Sequence, residues 1–219
     1  MSNNESYNIY NNFFLKTSTD RLRKTVVRNN LFLKTIDIPG DIVELGVFKG
    51  VGVITWLKLL EIYTSGSIKK VIGFDFFSKE TKFENEFDHK VMKDQELVSS
   101  YKGLKIEDLN NIINNLNLKS KTEFIEGDIM QTVKEYVSNK PGFKISLLHC
   151  DLDVGEPTYI ALTYLWDKIS IGGYIIFDEY ACSNWSESEG VDKFLKEKKL
   201  KINTLYYTSY PTGYIIKEH

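Results

Sequence analysis

Cysteine, proline and arginine are scarce in this chain, and each scarcity excludes something. Two cysteines, Cys150 and Cys182, among 219 residues are too few for a disulfide framework and are not spaced as a zinc motif. Both lie in or beside apolar runs, which reads as buried free thiols. Four prolines and fourteen glycines exclude collagen-like and Pro-rich low-complexity chains. Arginine occurs only at Arg21, Arg23 and Arg28. Lysine therefore carries nearly all the positive charge, and with the many Asn and Ile this points to an AT-rich microbial genome. Neither sign of charge is in excess: 28 Lys+Arg against 30 Asp+Glu gives a net charge of −2, with no electrostatic footprint for nucleic acid. No apolar run nears the ~20 residues of a membrane span. The opening MSNNESYNIYNN has neither the basic nor the apolar region of a signal peptide. The expectation is a soluble cytoplasmic protein with no membrane or nucleic-acid partner.

What is present is an ordinary globular composition, 42% hydrophobic and 26% charged. At ~150 residues per domain, residues 1–219 read as a single domain, and a chain of this size buries roughly 70% of its unfolded surface without staples. Residues 1–12 are polar and Asn-rich, an expected mobile arm. Leu22, Val26, Val27, Leu31 and Phe32 share a helical face within 13–35. Strands are expected at 42–47, 69–77, 122–129, 145–153 and 174–180. Helices are expected at 51–64, 103–118, from the third strand to Ser138, at 156–169 and at 187–198. Gly172-Gly173 reads as a lead-in to the 174–180 strand. The closing INTLYYTSYPTGYIIKE, turning at Tyr210-Pro211-Thr212-Gly213, reads as an antiparallel hairpin. Alternating strands and helices with near-continuous apolar strands predict a doubly wound, mostly parallel, Rossmann-like α/β sheet. Residues 78–104 have few periodic apolar positions and are a candidate lid or a solvated surface.

In such a sheet ligands bind beyond the carboxyl ends of the strands, and every principal strand here closes on a carboxylate: Glu44, Asp75, Asp128, Asp151 with Asp153, and Asp178 with Glu179. The first loop, Glu44-Leu45-Gly46-Val47-Phe48-Lys49-Gly50, permits a tight turn and close backbone approach, and the following helix offers free N–H groups to an anion. With Asp75 placed to accept ribose hydroxyls, this points to an adenosine-containing ligand. Asp151-x-Asp153 and Asp178-Glu179 close consecutive strands. In an extended segment Asp151, Asp153 and His149 face the same way. Carboxylates so crowded repel, and a divalent cation relieves the repulsion. Oxygen ligands favour Mg²⁺, with Mn²⁺ or Fe²⁺ as alternatives if His149 joins; otherwise His149 is a strand histidine with a hydrogen-bonded ring. Phe76, Phe77, Tyr180 and Trp185 lie near the expected cleft, to stack on a ligand or to fill the core.

PGDIVELGVFKG, FDFFSKE, GLKIEDLNNIINNLNL, FIEGDIMQTV and LLHCDLDVGEPTYIALTYLWDKISIGGYIIFDEY together resemble the macrocin O-methyltransferase family. Its members are class I, S-adenosylmethionine-dependent and metal-dependent sugar O-methyltransferases. The resemblance covers roughly residues 20–198 and implies the seven-stranded class I sheet. It implies that Glu44, Gly46, Gly50 and Asp75, with Phe48, Phe76 and Asp151, hold the methionine and ribose parts of the cofactor. Glu126 or Asp128 would lie near the adenine. Asp151, Asp178 and Glu179 would be metal ligands and Asp153 the general base. Two positions depart from the family pattern: Glu179 replaces the second Asp of its D-D pair, and Gly155 replaces the Tyr of its D-x-D-x-Y.

The expected activity is methylation of a sugar hydroxyl, on a nucleotide-linked sugar or a glycoside. Catechol-like O-methylation is an alternative, although no Asn follows Asp178 directly. A nicotinamide-dependent oxidoreductase is another, although the glycine spacing G-x-x-x-G-x-G departs from G-x-G-x-x-G and the paired carboxylates are not needed there. A non-catalytic nucleotide-sensing domain would not need the carboxylate set either. The terminal hairpin offers an edge to a second copy, leaving a homo-oligomer open.

Overall fold

Five apolar strands lie side by side in parallel, each returned to the sheet by a helix. The computed structural model describes residues 3–77, 86–97, 103–205 and 210–218. Its elements are α1 (Asn3–Lys16), α2 (Thr19–Thr35), β1 (Asp41–Leu45), α3 (Val51–Thr64), β2 (Val71–Asp75), α4 (Glu86–Leu97) and α5 (Ile106–Asn115). They continue as β3 (Thr122–Glu126), α6 (Ile129–Asn139), β4 (Ile145–Cys150), α7 (Gly155–Leu165), β5 (Ile169–Phe177), α8 (Glu187–Lys198), β6 (Asn203–Thr204) and β7 (Gly213–Ile216). The sheet order is β3-β2-β1-β4-β5-β7-β6. β1 to β5 are parallel, and β7 runs antiparallel to both β5 and β6. The fold is thus the expected doubly wound α/β sheet with an antiparallel end. Among the described residues, no helix is long and apolar enough to cross a membrane.

The order reverses between β1 and β4. The crevice over such a switch point is where this architecture binds ligands. Backbone bonds hold the strand ends level: Gly46 N–H donates to Phe74 O, Asp151 N–H to Leu45 O and Asp178 N–H to Cys150 O, all at 2.9 Å. Core lies on both faces. Val43, Leu45, Phe74, Leu148 and Phe177 pack toward α6, α7 and α8; Ile42, Leu147 and Ile176 pack with Phe32, Trp56 and Leu60 of α2 and α3.

Several expectations are corrected. Residues 3–16 form a helix rather than a mobile arm; Tyr10 and Phe14, one turn apart, meet with tilted rings whose centroids lie 4.8 Å from each other, a local pair that favours helix. The 13–35 helix is two helices broken at Thr17-Ser18. Its buried face carries Arg28 and Thr35, while Val26 is 53% exposed. The candidate lid contains a helix, α4; residues 78–85 and 98–102 of it lie outside the described residues. The 156–169 helix ends at Leu165 in a 3-10 turn over Trp166–Lys168. Gly172-Gly173 does not precede the fifth strand but sits inside it. The register slips there, from Ile145↔Ile169 to Leu147↔Tyr174, and Gly172 takes φ +81°, as a bulge requires.

Helices α7 and α8 approach most tightly at Gly155 and Gly190. A Cβ on Gly190 would stand 1.9 Å from Gly155 O, so the two backbones are nearly in contact. Gly190→Ala is expected to force α8 off α7 and cost about 1–3 kcal/mol, as overpacking does. A urea titration at fixed pH reads this as a lowered midpoint; an unchanged midpoint contradicts it.

Candidate active site

The glycine loop is built on one carboxylate. Asp75, at the end of β2, accepts the N–H groups of Val47 (2.6 Å) and Phe48 (2.8 Å) on Oδ2 and that of Phe77 (2.8 Å) on Oδ1. Phe48 and Phe77 both adopt positive φ, 51° and 46°, conformations that cost energy outside glycine and persist only where the surroundings impose them. Asp75 therefore organises the loop, and three of a carboxylate's roughly four acceptor sites are taken. Gly46 takes φ +86°, and a Cβ there would lie 1.9 Å from Asp151 O, so only glycine lets the loop lean on the end of β4. Gly50 begins α3 at φ +76°. Phe76 is half-buried beside this loop. Asp128 caps α6, accepting Met130 N–H at 2.9 Å, and Glu126 sits exposed at the end of β3.

Glu44 is placed differently from the expectation. It is 1% exposed and reaches beneath α3, where a Cβ on Gly52 would meet its Oε1 at 1.9 Å. Its Oε2 lies 3.8 Å from His149 Nδ1. It faces the buried histidine from behind the loop.

Beyond β4 and β5 the carboxylates gather. Single oxygens of Asp151, Asp153 and Glu179 lie within 4.8 Å of one another, a spacing suited to one cation. The strand does not carry Asp153 there in extended form: β4 ends at Cys150, and Asp153 takes φ +67°, with its carbonyl accepting Ser186 N–H at 3.1 Å. Reversal of the backbone, rather than the two-residue alternation of a strand, brings Asp153 beside Asp151. Glu179 is 8% exposed, and its Oε2 has no partner among the described residues. Burial, then the charges of Asp151 and Asp178, push its carboxyl far above the usual range.

Asp178 is not part of that group. It is 1% exposed; Oδ1 faces His149 Nε2 at 3.1 Å and Oδ2 accepts Lys24 Nζ at 2.5 Å. Burial opposes its ionisation, but His149 and Lys24 outweigh burial and hold the carboxyl well below its ordinary value. For His149, burial would lower the pKa; the hydrogen bond to Asp178 and the Glu44 carboxylate 3.8 Å from Nδ1 overcome it and raise the ring to about 9. His149 is thus an imidazolium joining two strand ends.

Four contributors were not anticipated. Lys24 and Arg28 come from α2, with Arg28 Nη2 4.0 Å from Asp151 Oδ2. Glu187, fully buried, accepts Glu179 N–H on Oε1 at 3.2 Å. Asp88 of α4, also fully buried, accepts the hydroxyl of Ser186, which in turn accepts Gly155 N–H. The signal for Lys24 and Arg28 was their i, i+4 spacing on the buried side of α2; nothing local marks Glu187 or Asp88. Tyr180 bonds Asp192 on the surface, and Phe77 packs in the core against Phe124.

The model of the macrocin O-methyltransferase (TylF) family matches residues 17–206. Demethyldecarbamoylnovobiocin O-methyltransferase of Streptomyces niveus is 25% identical over 156 residues, 66% of this chain and 54% of that protein; the match thus spans about half the curated relative. Among solved structures, the calicheamicin methyltransferase CalS11 superposes with a TM-score of 0.79 at 21% identity, covering 96% of this chain and 85% of its own. It is described as a TDP-rhamnose 3'-O-methyltransferase. The O-methyltransferase NovP gives 0.74 at 22%, covering 89% and 79%. At these identities the structures share the fold.

The His149–Asp178 pair sets a pH window. His149 is raised from 6.5 to about 9, so its contribution is complete below pH ~6.5 and is lost as pH climbs toward 9. The depression of Asp178 describes the same pair from its partner and is counted once. In the presence of a chelator, this pair is expected to lose about 3 kcal/mol of stabilisation between pH 6.5 and 9, and His149→Gln should make that limb shallower. Urea midpoints across this range check it; an equally steep fall in the variant contradicts the assignment.

Proposed function

Because the chain belongs to the macrocin O-methyltransferase family, we propose that it transfers a methyl group from S-adenosylmethionine to a sugar hydroxyl, on a nucleotide-linked sugar or a glycoside, with a divalent cation among its strand-end carboxylates. The observation that carries this reading is the cluster itself. Asp151, Asp153 and Glu179 converge within 4.8 Å, and a buried oxygen of Glu179 has no partner among the described residues, next to a loop shaped to receive a ligand at the sheet's switch point. A nicotinamide-dependent oxidation has no use for such a cluster. The name of one similar protein, a TDP-rhamnose 3'-O-methyltransferase, favours a sugar over a catechol. The net charge of −2 fits a small-molecule substrate rather than a nucleic acid.

Each part of the chain has a role on this reading. The 46–50 loop and the start of α3 receive the carboxylate end of the cofactor, with Phe48 and Phe76 alongside. Asp75 keeps one acceptor site for a ribose hydroxyl, while Asp128, Glu126 and Asp151 border the remainder. Glu44 supports the loop from beneath, through His149. Asp151 and Glu179 would hold the cation, joined by Asp178 where Lys24 gives up its oxygen, with Mg²⁺ before Mn²⁺ or Fe²⁺, and when bound it would lower the pKa of the sugar hydroxyl. Asp153 takes the hydroxyl proton on its carboxylate. Its left-handed backbone is the kind of strain that marks a working residue, and Ser186 N–H holds it in place. Glu187 fixes the Glu179 backbone. Helix α4, tied down through Asp88 and Ser186, covers the bound sugar.

Asp153→Asn is expected to retain binding of S-adenosylhomocysteine while lowering turnover by ~10²–10⁴. The check is methyl transfer to a panel of nucleotide-linked sugars, alongside calorimetry of cofactor binding. Undiminished turnover would remove Asp153 as the base.

A further inference from the structure

Helix α2 delivers two cations to the carboxylate cluster from one face, four residues apart. They are held very differently. Arg28 is 5% exposed, its guanidinium lies 5.8 Å from the Trp56 ring, and it approaches Asp151 only to 4.0 Å. Lys24 keeps 23% of its side chain exposed and contacts Asp178 directly at 2.5 Å, with the Tyr210 ring 5.8 Å from its ammonium. Between Lys24 and His149, both oxygens of Asp178 face a cation, whereas Glu179 Oε2 has no hydrogen-bond partner among the described residues.

We propose that Lys24 is the resident counter-cation of Asp178, and that a divalent cation displaces it, so that cation loading releases the hold of α2 on the strand ends. The proposal rests on the cation site proposed above. An ammonium and a divalent ion cannot both sit against one carboxylate oxygen in a poorly hydrated site without strong like-charge repulsion. Lys24 is the group able to leave. Its ammonium rides on a flexible four-carbon stem with a path to solvent, while His149 and Arg28 are enclosed. In the metal-free protein Lys24 keeps Asp178 paired, where an unpaired buried carboxylate would be costly. In the loaded protein it swings outward, leaving Arg28 as the remaining tie between α2 and the cluster.

Calorimetric titration of the full chain with Mn²⁺ tests this in wild type and Lys24→Met. Removing the competing ammonium is expected to tighten Mn²⁺ about tenfold or more, the worth of one charge-assisted hydrogen bond. Lys24→Met should also melt below wild type in EDTA and level with it at saturating Mn²⁺. Equal or weaker Mn²⁺ binding by the variant, with wild type binding normally, overturns the role of Lys24 alone. No Mn²⁺ binding by either protein overturns the cation site and this proposal together. If Lys24→Met does not fold, hydrogen exchange on the wild-type protein decides. Amides of α2 should exchange faster, relative to those of β4, with Mn²⁺ than with EDTA; unchanged or slower exchange overturns the proposal.

Discussion

Mutual repulsion among carboxylates at the ends of β4 and β5 is the constraint around which the rest of this structure is arranged. Asp151, Asp153, Asp178, Glu179 and Glu187 converge there, and burial, together with Asp151, Asp178 and Asp153, pushes the carboxyls of Glu179 and Glu187 well above their ordinary range. Adding Glu44 makes six carboxylates, faced among the described residues by three cations: Lys24, Arg28 and His149. An isolated buried charge is strongly unfavourable, so such a set persists only if protons or further cations complete it. The oxygens of Glu44, Glu179 and Glu187 that have no partner among the described residues mark where such completion would go.

The surrounding fold answers this constraint piece by piece. Helix α2 crosses the end of the sheet because its buried face, Val27, Leu31 and Phe32, packs on α3 and the strands, and that docking carries Lys24 and Arg28 to the cluster. His149 occupies the middle of the sheet between β1 and β5, where its two nitrogens reach Glu44 on one side and Asp178 on the other. The glycine loop depends on the same geometry from the opposite side. Gly46 leans on Asp151 O, and Asp75 gathers the amides of the loop. The two halves of the proposed reaction, a donor against the loop and an acceptor against the carboxylates, therefore share Asp151 as a common wall.

Much of this was legible in the sequence because it is local. The periodicity of 51–64 and 187–198 marked α3 and α8 with the bounds observed, and the apolar runs marked the five parallel strands. Strand-end carboxylates could be placed in one crevice because the architecture puts strand ends together. What could not be read depends on contacts far apart in sequence. Lys24 meets Asp178 across 154 positions, and Asp88 meets Ser186 across 98. Asp153 was expected on an extended strand and instead lies on a left-handed turn, because β4 stops at Cys150. The diglycine at 172–173 looked like punctuation and proved to be a bulge, since a glycine pair serves either purpose until a neighbouring strand fixes the register. The Asn-rich start looked unstructured from its polarity, which hid the Tyr10–Phe14 pair.

The central claim is that one crevice holds a sulfonium donor against the loop and a cation among the carboxylates beside it. Calorimetric titration with S-adenosylhomocysteine, in EDTA and again with saturating Mg²⁺, tests it most directly. The account predicts saturable one-to-one binding in EDTA, because Asp75 rather than a cation gathers the loop amides, and a changed affinity or heat with Mg²⁺, because Asp151 borders both ligands. Absence of binding under both conditions would contradict it.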